Sequence, residues 1–163
     1  MATTAKPPHR YALTLVWEGN RGPGTSDYAS YGRQYRVSIV GKPDLVGSAD
    51  PLFRGDSALH NPEDLLVAAL SSCHMLSYLA LCARSRITVL RYLDHAEGTL
   101  EFRADGGGSF REVMLSPRVT VAPGTDLARA TALHQKAGEQ CFIASSCNFP
   151  VRHQPVVEIA AAP

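Results

Sequence analysis

The chain has 163 residues, which is long enough for one domain with a hydrophobic core and short for two. Its 16 basic and 15 acidic residues nearly cancel and are scattered, which argues against a nucleic-acid-binding or membrane-surface face and favours a small neutral or apolar ligand. Four cysteines without a secretory signal argue against a disulfide framework and predict a cytoplasmic protein with reduced thiols.

Two strands are predicted before the first helix. Residues 11–17 (YALTLVW) are rich in β-branched and aromatic side chains, and residues 34–40 (QYRVSIV) alternate apolar and polar side chains. The segment GNRGPGTSDY between them is typical of a turn, so the strands should pair as in a hairpin. Residues 41–60 are expected to be irregular, because prolines and glycines interrupt any regular element.

A helix is predicted from Pro62 to about Ala83. Asn61 can cap it, Pro62 takes the first helical position, and Glu63 lies near the positive end of the helix dipole. The apolar run is almost long enough to span a bilayer, but serine, histidine and tyrosine side chains interrupt it. We therefore predict the central helix of a soluble protein and no membrane partner.

The second half of the chain predicts more strands and a second helix. Residues 91–104 and 111–121 are expected to form two antiparallel strands, with Pro117 at a bulge or edge. A helix should follow from Asp126 to about Gln140, and a short strand from Pro155 to Ile159. This order indicates an α+β fold with antiparallel sheet, in a single domain of residues 1–163 whose residues 1–10 are flexible. A dimer would supply the cover that the long apolar helix needs.

Cys73 lies in the middle of that helix, on a stripe of small apolar residues. A cysteine there usually acts as a small hydrophobe, and a reactive thiolate would need a cationic neighbour. Arg54 is a candidate, because Glu63 lies about 80° from Cys73 around the helix axis and can orient a guanidinium through a bidentate pair. The alternative is that Glu63 is a first-turn helix charge and Arg54 a solvated loop residue.

The other cysteines and His74 are sorted by spacing. Cys82 points away from Cys73 and is predicted to be core, whereas Cys141 and Cys147 both follow the second helix and either can approach Cys73. His74 diverges from Cys73 by about 100° and has no His or Cys three or four residues away, which argues against a metal site. The sequence also lacks the orienting residue and the elbow motif expected of a Cys/His hydrolase.

FRGDSALHNPEDLLVAALSSCHML (residues 53–76), followed by HQKAGEQCFIASS (residues 134–146), resembles the OsmC/Ohr superfamily of osmotically inducible and organic hydroperoxide resistance proteins. The resemblance implies an OsmC-like fold, an intertwined homodimer with antiparallel sheets wrapped around long central helices. It also implies that Cys73 is the peroxidatic cysteine and Cys141 the resolving one, with Cys147 as the alternative. Glu63 would hold the catalytic arginine, which is Arg54 in the OsmC-like pattern and Arg21 in the Ohr-like pattern; the loop spacing favours Arg54.

The activity implied by the resemblance is a thiol-dependent peroxidase for organic hydroperoxides and hydrogen peroxide. Cys73 would become a sulfenic acid, condense with the second cysteine, and be regenerated by an external dithiol of the lipoyl type, without a metal, flavin or haem. Residues 141–143 read C-F-I where the Ohr families usually have a C-P segment, which favours the OsmC-like branch. The alternative function is a non-catalytic dimer that binds an apolar small molecule or senses oxidants.

Overall fold

The computed structural model describes residues 7–161, and the chain divides into two compact units between Asp64 and Leu65. Each unit is described by itself. Of the stretch predicted to be flexible, residues 1–6 lie outside the described residues, and residues 7–10 are irregular. The single domain remains a prediction.

The first unit contains an antiparallel sheet of three short strands in the order β1-β2-β3. The elements are β1 (Thr14–Trp17), β2 (Tyr35–Ser38), β3 (Leu45–Gly47) and a 3-10 helix (Pro51–Phe53). The predicted pairing of the first two strands is confirmed, with both shorter than expected. The prediction that residues 41–60 are wholly irregular is wrong, because Leu45–Gly47 adds to the free edge of β2. A run of three residues is too short to show strand alternation.

The turn between β1 and β2 is closed by a glycine-glycine contact. The Trp17 indole N–H donates to the Gly32 carbonyl at 2.8 Å, and the Gly32 N–H donates to the Gly19 carbonyl at 2.7 Å. A Cβ atom on Gly19 would lie 1.8 Å from the Gly32 carbonyl oxygen. Only glycine therefore allows the two backbone segments to approach this closely.

The long helix α1 runs from Pro62 to Arg84, as predicted. Asn61 Oδ1 accepts the Asp64 N–H at 2.7 Å, and Asp64 Oδ2 accepts the Asn61 N–H at 3.2 Å. This reciprocal pair is a capping box, which satisfies backbone donors at the start of the helix. By length and composition alone, α1 would also be able to cross a membrane.

Replacing Asn61 by alanine is expected to lower the free energy of unfolding by about 1 kcal/mol. The substitution removes the acceptor of the Asp64 N–H while the residue stays at the buried start of α1. Urea denaturation measures the difference, with the exposed Asn148→Ala as the control. Equal stabilities of the two variants would contradict a stabilising cap.

The second unit contains most of α1, six further strands and two more helices. They are β4 (Val89–Asp94), β5 (Glu97–Phe102), β6 (Gly108–Leu115), β7 (Pro117–Val121), α2 (Leu127–Gln140), α3 (Phe142–Ser145), β8 (Val151–His153) and β9 (Val156–Ile159). They form two three-stranded sheets, in the orders β4-β7-β9 and β5-β6-β8. The mixed α+β class predicted from the sequence is confirmed, with small sheets and one long helix.

Two predicted long strands are each divided between these sheets. Residues 91–104 contain the end of β4 and all of β5, and residues 111–121 contain the end of β6 and all of β7. Asp94 ends β4 and its carboxylate accepts the Ser116 N–H at 2.7 Å, which takes that donor out of the ladder. Pro117 then begins β7, a position where its missing N–H is tolerated.

The predicted antiparallel pairing is present, and two parallel pairs that the sequence did not predict accompany it. β4–β7 and β5–β6 are antiparallel, but β6–β8 and β7–β9 are parallel. The connection through α2 and α3 allows these parallel returns, which a tight hairpin does not permit. The predicted second helix is confirmed, with Asp126 Oδ1 accepting the Arg129 N–H at 3.0 Å as its cap, and the predicted last strand is present as β9.

The buried face of α1 joins both sheets of the second unit. Its buried residues Leu70, His74, Tyr78, Leu81 and Cys82 lie on one side of the helix. Tyr78, Leu81 and Cys82 pack with strand β7 and helix α2, and Leu70 packs with strand β6. Cys82 is 1% exposed, so the prediction that it belongs to the core is confirmed. This packing fixes the rotation of α1 about its own axis, and therefore the directions in which Cys73 and His74 point.

Candidate functional site

Two cysteines from different helices meet in the second unit. Cys73 lies half-buried on α1, and Cys141 lies between α2 and α3 with 1% of its surface exposed. All four cysteines are free thiols. Burial, followed by a hydrogen bond from the Cys141 thiol to Cys73, raises the pKa of Cys141 to about 11. Cys141 is therefore protonated at neutral pH and donates toward Cys73.

The end of α2 explains the position of Cys141. Its backbone is extended, so it ends α2 and caps α3 at the same time. The Ala144 N–H donates to Cys141 Sγ at 3.4 Å, which holds the sulfur at the turn between the helices. This turn sets the direction of the Cys141 side chain.

Cys147 lies elsewhere. It packs against the cluster formed by Leu70, Val113 and Leu115, and its thiol donates to the Ile143 carbonyl at 3.4 Å. Sequence spacing allowed either Cys141 or Cys147 to approach Cys73. The structure brings Cys141 to Cys73, and the resolving role of Cys141 stays a prediction.

Cys73 lines a cavity of about 720 Å³ whose surface is mainly apolar. The lining residues come from α1, the last residue of α2 and the start of α3: Ala69, Ser72, Cys73, Leu76, Ser77, Ala80, Arg84, Gln140, Phe142 and Ile143. Leu76 is 62% exposed and Phe142 is 82% exposed. This "apolar cavity" suits an organic molecule at the Cys73 sulfur.

Cys141 opens on a different cavity, of about 420 Å³. Its apolar wall is Leu70, Leu115, Ala144 and Val151, and its other lining residues are His74, Gln135, Gly138, Glu139, Cys141, Arg152 and His153. This "polar cavity" carries ionisable side chains that the apolar cavity mostly lacks. Cys73 and His74 line different cavities because consecutive helical residues diverge by about 100°.

A buried histidine cluster stands behind the polar cavity. His74 Nε2 and His134 Nδ1 are 3.0 Å apart, so one imidazole donates its N–H to the other. The His134 ring stacks on Tyr78 with centroids 3.7 Å apart, and the His153 ring lies 5.2 Å from that of His74. Within residues 7–161, neither His134 Nε2 nor His153 Nδ1 has a hydrogen-bond partner.

The cluster is neutral at neutral pH. Burial and then His153 lower the pKa of His74 to about 4, against an opposing effect of Asp94. Burial, then His74 and His153, lower the pKa of His134 to about 3, and burial lowers the pKa of His153. A hydrogen bond between two imidazoles also requires one bare nitrogen, which protonation of both rings would remove.

The sequence interpretation missed His134 and His153. Ala130, His134, Ala137 and Cys141 recur on one face of α2 and are all buried, so the helical stripe places His134 on the same side as Cys141. His153 lies on a strand of only three residues, which gives no comparable signal. Among the described residues, no group of three or more His, Cys, Asp or Glu side chains is arranged to hold a metal ion.

Acid is expected to destabilise the protein through His74 and His134. Their folded-state pKa values of about 4 and about 3 lie below the ordinary value of 6.5, so the unfolded chain binds more protons below pH 6.5. The contribution of the two neutral histidines to the free energy of unfolding is complete above pH 6.5. It is lost as the pH falls toward the folded-state pKa values, by on the order of 2 kcal/mol per histidine at about pH 5.

Urea denaturation at about pH 7.5 and about pH 5 measures this loss. The variant His134→Gln keeps a hydrogen-bonding side chain and removes one titrating group, so the loss should fall by roughly half. The exposed His95→Gln is the matched control and should retain the full loss. Identical acid sensitivity of His134→Gln and the unmodified protein would contradict this origin.

Arg54, Glu63 and Arg21 all lie in the first unit. Arg54 follows the 3-10 helix with a left-handed φ of 64° and is exposed, and Arg21 is exposed in the turn after β1. Among the described residues, the ion pairs join other side chains, so the predicted pairing of Glu63 with Arg54 is not formed. The charge of Glu63 acts on Tyr35, whose pKa is raised first by burial and then by Glu63. The catalytic roles of Arg54 and Glu63 stay predictions.

The chain is similar to solved structures over most of its length. An OsmC-like protein of unknown function from Vibrio cholerae is 29% identical, with a TM-score of 0.82 over 91% of this chain and 100% of that one. An organic hydroperoxide resistance protein from Elizabethkingia anophelis is 18% identical, with a TM-score of 0.64 over 93% of this chain and 99% of that one. A third, the organic hydroperoxide resistance protein of Bacillus subtilis, is 18% identical, with a TM-score of 0.58 over 90% of this chain and 98% of that one.

The last two similarities concern the fold. No curated protein matches the chain. The family model described as OsmC-like protein matches residues 55–155, which include Cys73 and Cys141 but neither Arg21 nor Arg54. Because this match covers more than half of the sequence, the chain belongs to the OsmC-like protein family.

Proposed function

We propose that the protein is a thiol-dependent peroxidase that reduces organic hydroperoxides at Cys73. The observation that carries the proposal is the proximity of two free thiols: Cys73, which lines the apolar cavity, acts on Cys141 closely enough to raise its pKa. An apolar lining favours the alkyl or aryl part of an organic hydroperoxide over hydrogen peroxide. The names of the hydroperoxide resistance proteins that share the fold support the same chemistry.

The bonds formed and broken in the reaction involve the two cysteines, the hydroperoxide and a dithiol. The Cys73 thiolate attacks the terminal peroxide oxygen, the O–O bond breaks, and the alkoxide leaves and takes a proton to become an alcohol. Cys73 is then a sulfenic acid. The Cys141 thiol displaces its hydroxyl group as water, forming a disulfide. An external dithiol of polar or lipoyl type restores both thiols and is oxidised to its own disulfide.

Arg54 is our proposal for the cation that activates Cys73, with Glu63 orienting it and Arg21 as the alternative. The family resemblance supports it, and the left-handed backbone of Arg54 is a conformation that non-glycine residues rarely adopt. Arg54→Gln should lower kcat/KM for an organic hydroperoxide by about tenfold or more. Arg21→Gln is the matched comparison; a larger loss there would transfer the role to Arg21.

We also propose a cytoplasmic homodimer. Large apolar side chains are exposed on β1 (Leu15 and Val16) and around the apolar cavity (Leu76 and Phe142), and burying them between two copies would remove this surface from water. Light scattering should give twice the chain mass, and a monomeric mass would contradict the assembly. Cell fractionation tests the location.

Steady-state turnover of cumene hydroperoxide tests the peroxidase. With dithiothreitol, and in parallel with dihydrolipoamide, the protein should consume many equivalents of peroxide and use cumene hydroperoxide faster than hydrogen peroxide. Absence of repeated turnover with either reductant and with several hydroperoxides would contradict the proposal.

The second candidate is a non-catalytic dimer that binds an apolar molecule or senses oxidants. It is favoured by one observation, the absence of an ion pair between Arg54 and Glu63 among residues 7–161. A binding protein would hold a ligand in the apolar cavity without turnover. A sensor would be oxidised once and would not be reduced at a useful rate.

A further inference from the structure

We propose that the polar cavity is the binding site for a small hydrophilic thiol, which regenerates the protein by attacking the sulfur of Cys141 rather than that of Cys73. This inference rests on the proposed peroxidase function. It adds a second site, a ligand class and the identity of the attacked atom.

The first support is access from two sides. Cys73 lines the apolar cavity and Cys141 lines the polar cavity, and no residue lines both. The two thiols are nevertheless close enough for Cys73 to raise the pKa of Cys141. A hydroperoxide and a reductant can therefore reach the same sulfur pair without competing for one space.

The second support is the chemistry of the lining. Glu139 accepts a hydrogen bond from Gln135 at 3.1 Å, and Arg152 donates to Glu112 at 3.2 Å, so the lining of the polar cavity includes an acidic and a basic side chain. His153 lines the cavity and its Nδ1 lacks a partner within the described residues. Hydroxyl, amide or charged substituents of a thiol find donors and acceptors here, whereas an alkyl chain would desolvate them.

The third support is Gly138, which lies inside helix α2 and lines the polar cavity. Glycine destabilises a helix interior by about 1 kcal/mol relative to alanine. A Cβ atom at this position would lie 3.5 Å from the His153 ring, so a longer side chain would extend into the cavity. Gly138 thus leaves a space next to Cys141 that a side chain longer than alanine would fill.

The fourth support is the direction of thiol–disulfide exchange. An attacking thiolate bonds to one sulfur and expels the other, and the thiol of lower pKa leaves faster. Burial raises the pKa of Cys141 above its ordinary value, which disfavours the departure of Cys141 as a thiolate. Attack on Cys141, with departure of Cys73 as the thiolate, is the favoured route.

The complete step is balanced. The first thiol forms a mixed disulfide with Cys141 and releases Cys73, which takes a proton. A second thiol, or the second group of a dithiol, attacks the reductant's sulfur and releases Cys141. Two electrons pass from two thiols to the protein disulfide, and the reductant leaves as its own disulfide.

Trapping identifies the attacked sulfur. Diamide is used to form the disulfide, so the experiment does not depend on peroxide turnover. The oxidised protein is mixed with 2-mercaptoethanol and quenched with N-ethylmaleimide, and chymotryptic cleavage after Phe142 separates Cys141 from Cys147. We expect mercaptoethanol on Cys141 and maleimide on Cys73. Mercaptoethanol on Cys73 would overturn the proposal.

The rates of oxidation by peroxide and of reduction of the disulfide, measured separately, test the role of the polar cavity. They give an answer even where the mixed disulfide is too short-lived to trap. Gly138→Leu and Gln135→Phe should slow reduction of the diamide-formed disulfide by about tenfold, while oxidation of Cys73 by cumene hydroperoxide changes by less than about twofold. Ala80→Leu, in the apolar cavity, should slow the oxidation by cumene hydroperoxide by about tenfold and change the reduction by less than about twofold. Ala132→Leu, exposed on α2 and lining neither cavity, is the control.

The outcomes separate this inference from the proposed function. Equal slowing of both half-reactions by Gly138→Leu and Gln135→Phe, or no slowing of reduction, would overturn the inference while peroxide turnover stands. A faster reduction by dihydrolipoamide than by 2-mercaptoethanol, compared at equal thiolate concentration, would overturn the assignment to hydrophilic thiols. Lack of peroxide turnover would overturn the proposed function and leave the trapping result interpretable.

Discussion

Replacing Cys73 by serine is expected to lower kcat/KM for organic hydroperoxides by about 10³-fold or more. The thiolate is the nucleophile that attacks the O–O bond, and a serine hydroxyl remains protonated at neutral pH. The substitution is nearly isosteric and Cys73 is only half-buried, so the loss should occur without a matching loss of stability.

Cys82→Ser is the matched control for this experiment. Cys82 lies on the same helix but is 1% exposed and packs in the core against Val119 and Val121. Its replacement should lower the free energy of unfolding and leave kcat/KM within about twofold. Comparable turnover by Cys73→Ser and the unmodified protein would end the peroxidase account.

Replacing Cys141 by serine should leave the oxidation of Cys73 intact and slow the later step that regenerates it. Oxidation of Cys73 by the first equivalent of hydroperoxide should remain within about twofold, because Cys141 does not line the apolar cavity. Steady-state turnover should fall by about tenfold or more, because the sulfenic acid must then wait for an external thiol. Excess peroxide should convert Cys73 to the irreversible sulfinic acid, which mass spectrometry detects.

Cys147→Ser supplies the comparison. Cys147 packs against Leu70 and bonds to the Ile143 carbonyl rather than to Cys73, so both half-reactions should be unchanged. A protein that loses turnover with Cys147→Ser and keeps it with Cys141→Ser would require the resolving role to move to Cys147.

The helices were the most accessible part of the fold because their signals are local. Asn61 and Asp126 can cap the first N–H groups of a helix, Pro62 suits the first helical position, and both helices begin where these residues predict. The strands depended on distant partners. The breaks near Asp94 and Ser116 arise from a side-chain hydrogen bond across 22 positions of the chain, and Leu45–Gly47 is a strand only because β2 offers an edge.

The candidate site likewise combines features that local sequence signals predict with features that depend on distant contacts. The motif around Cys73 was visible in the sequence, but the choice between Cys141 and Cys147 depended on the turn that makes Cys141 the cap of α3. The contact of His74 with His134 joins α1 to α2, and spacing along one helix cannot reveal it. The predicted pairing of Arg54 with Glu63 followed from their positions at the start of α1 and in the loop before it, and it is not formed in the first unit.

The most direct test of the central claim is the mass of the protein after reaction with one equivalent of cumene hydroperoxide in the absence of reductant. The account predicts the loss of two hydrogen atoms and, after non-reducing digestion, a single cross-link between the Cys73 and Cys141 peptides. An unchanged mass, or a cross-link that joins Cys73 to Cys147 instead, would contradict it.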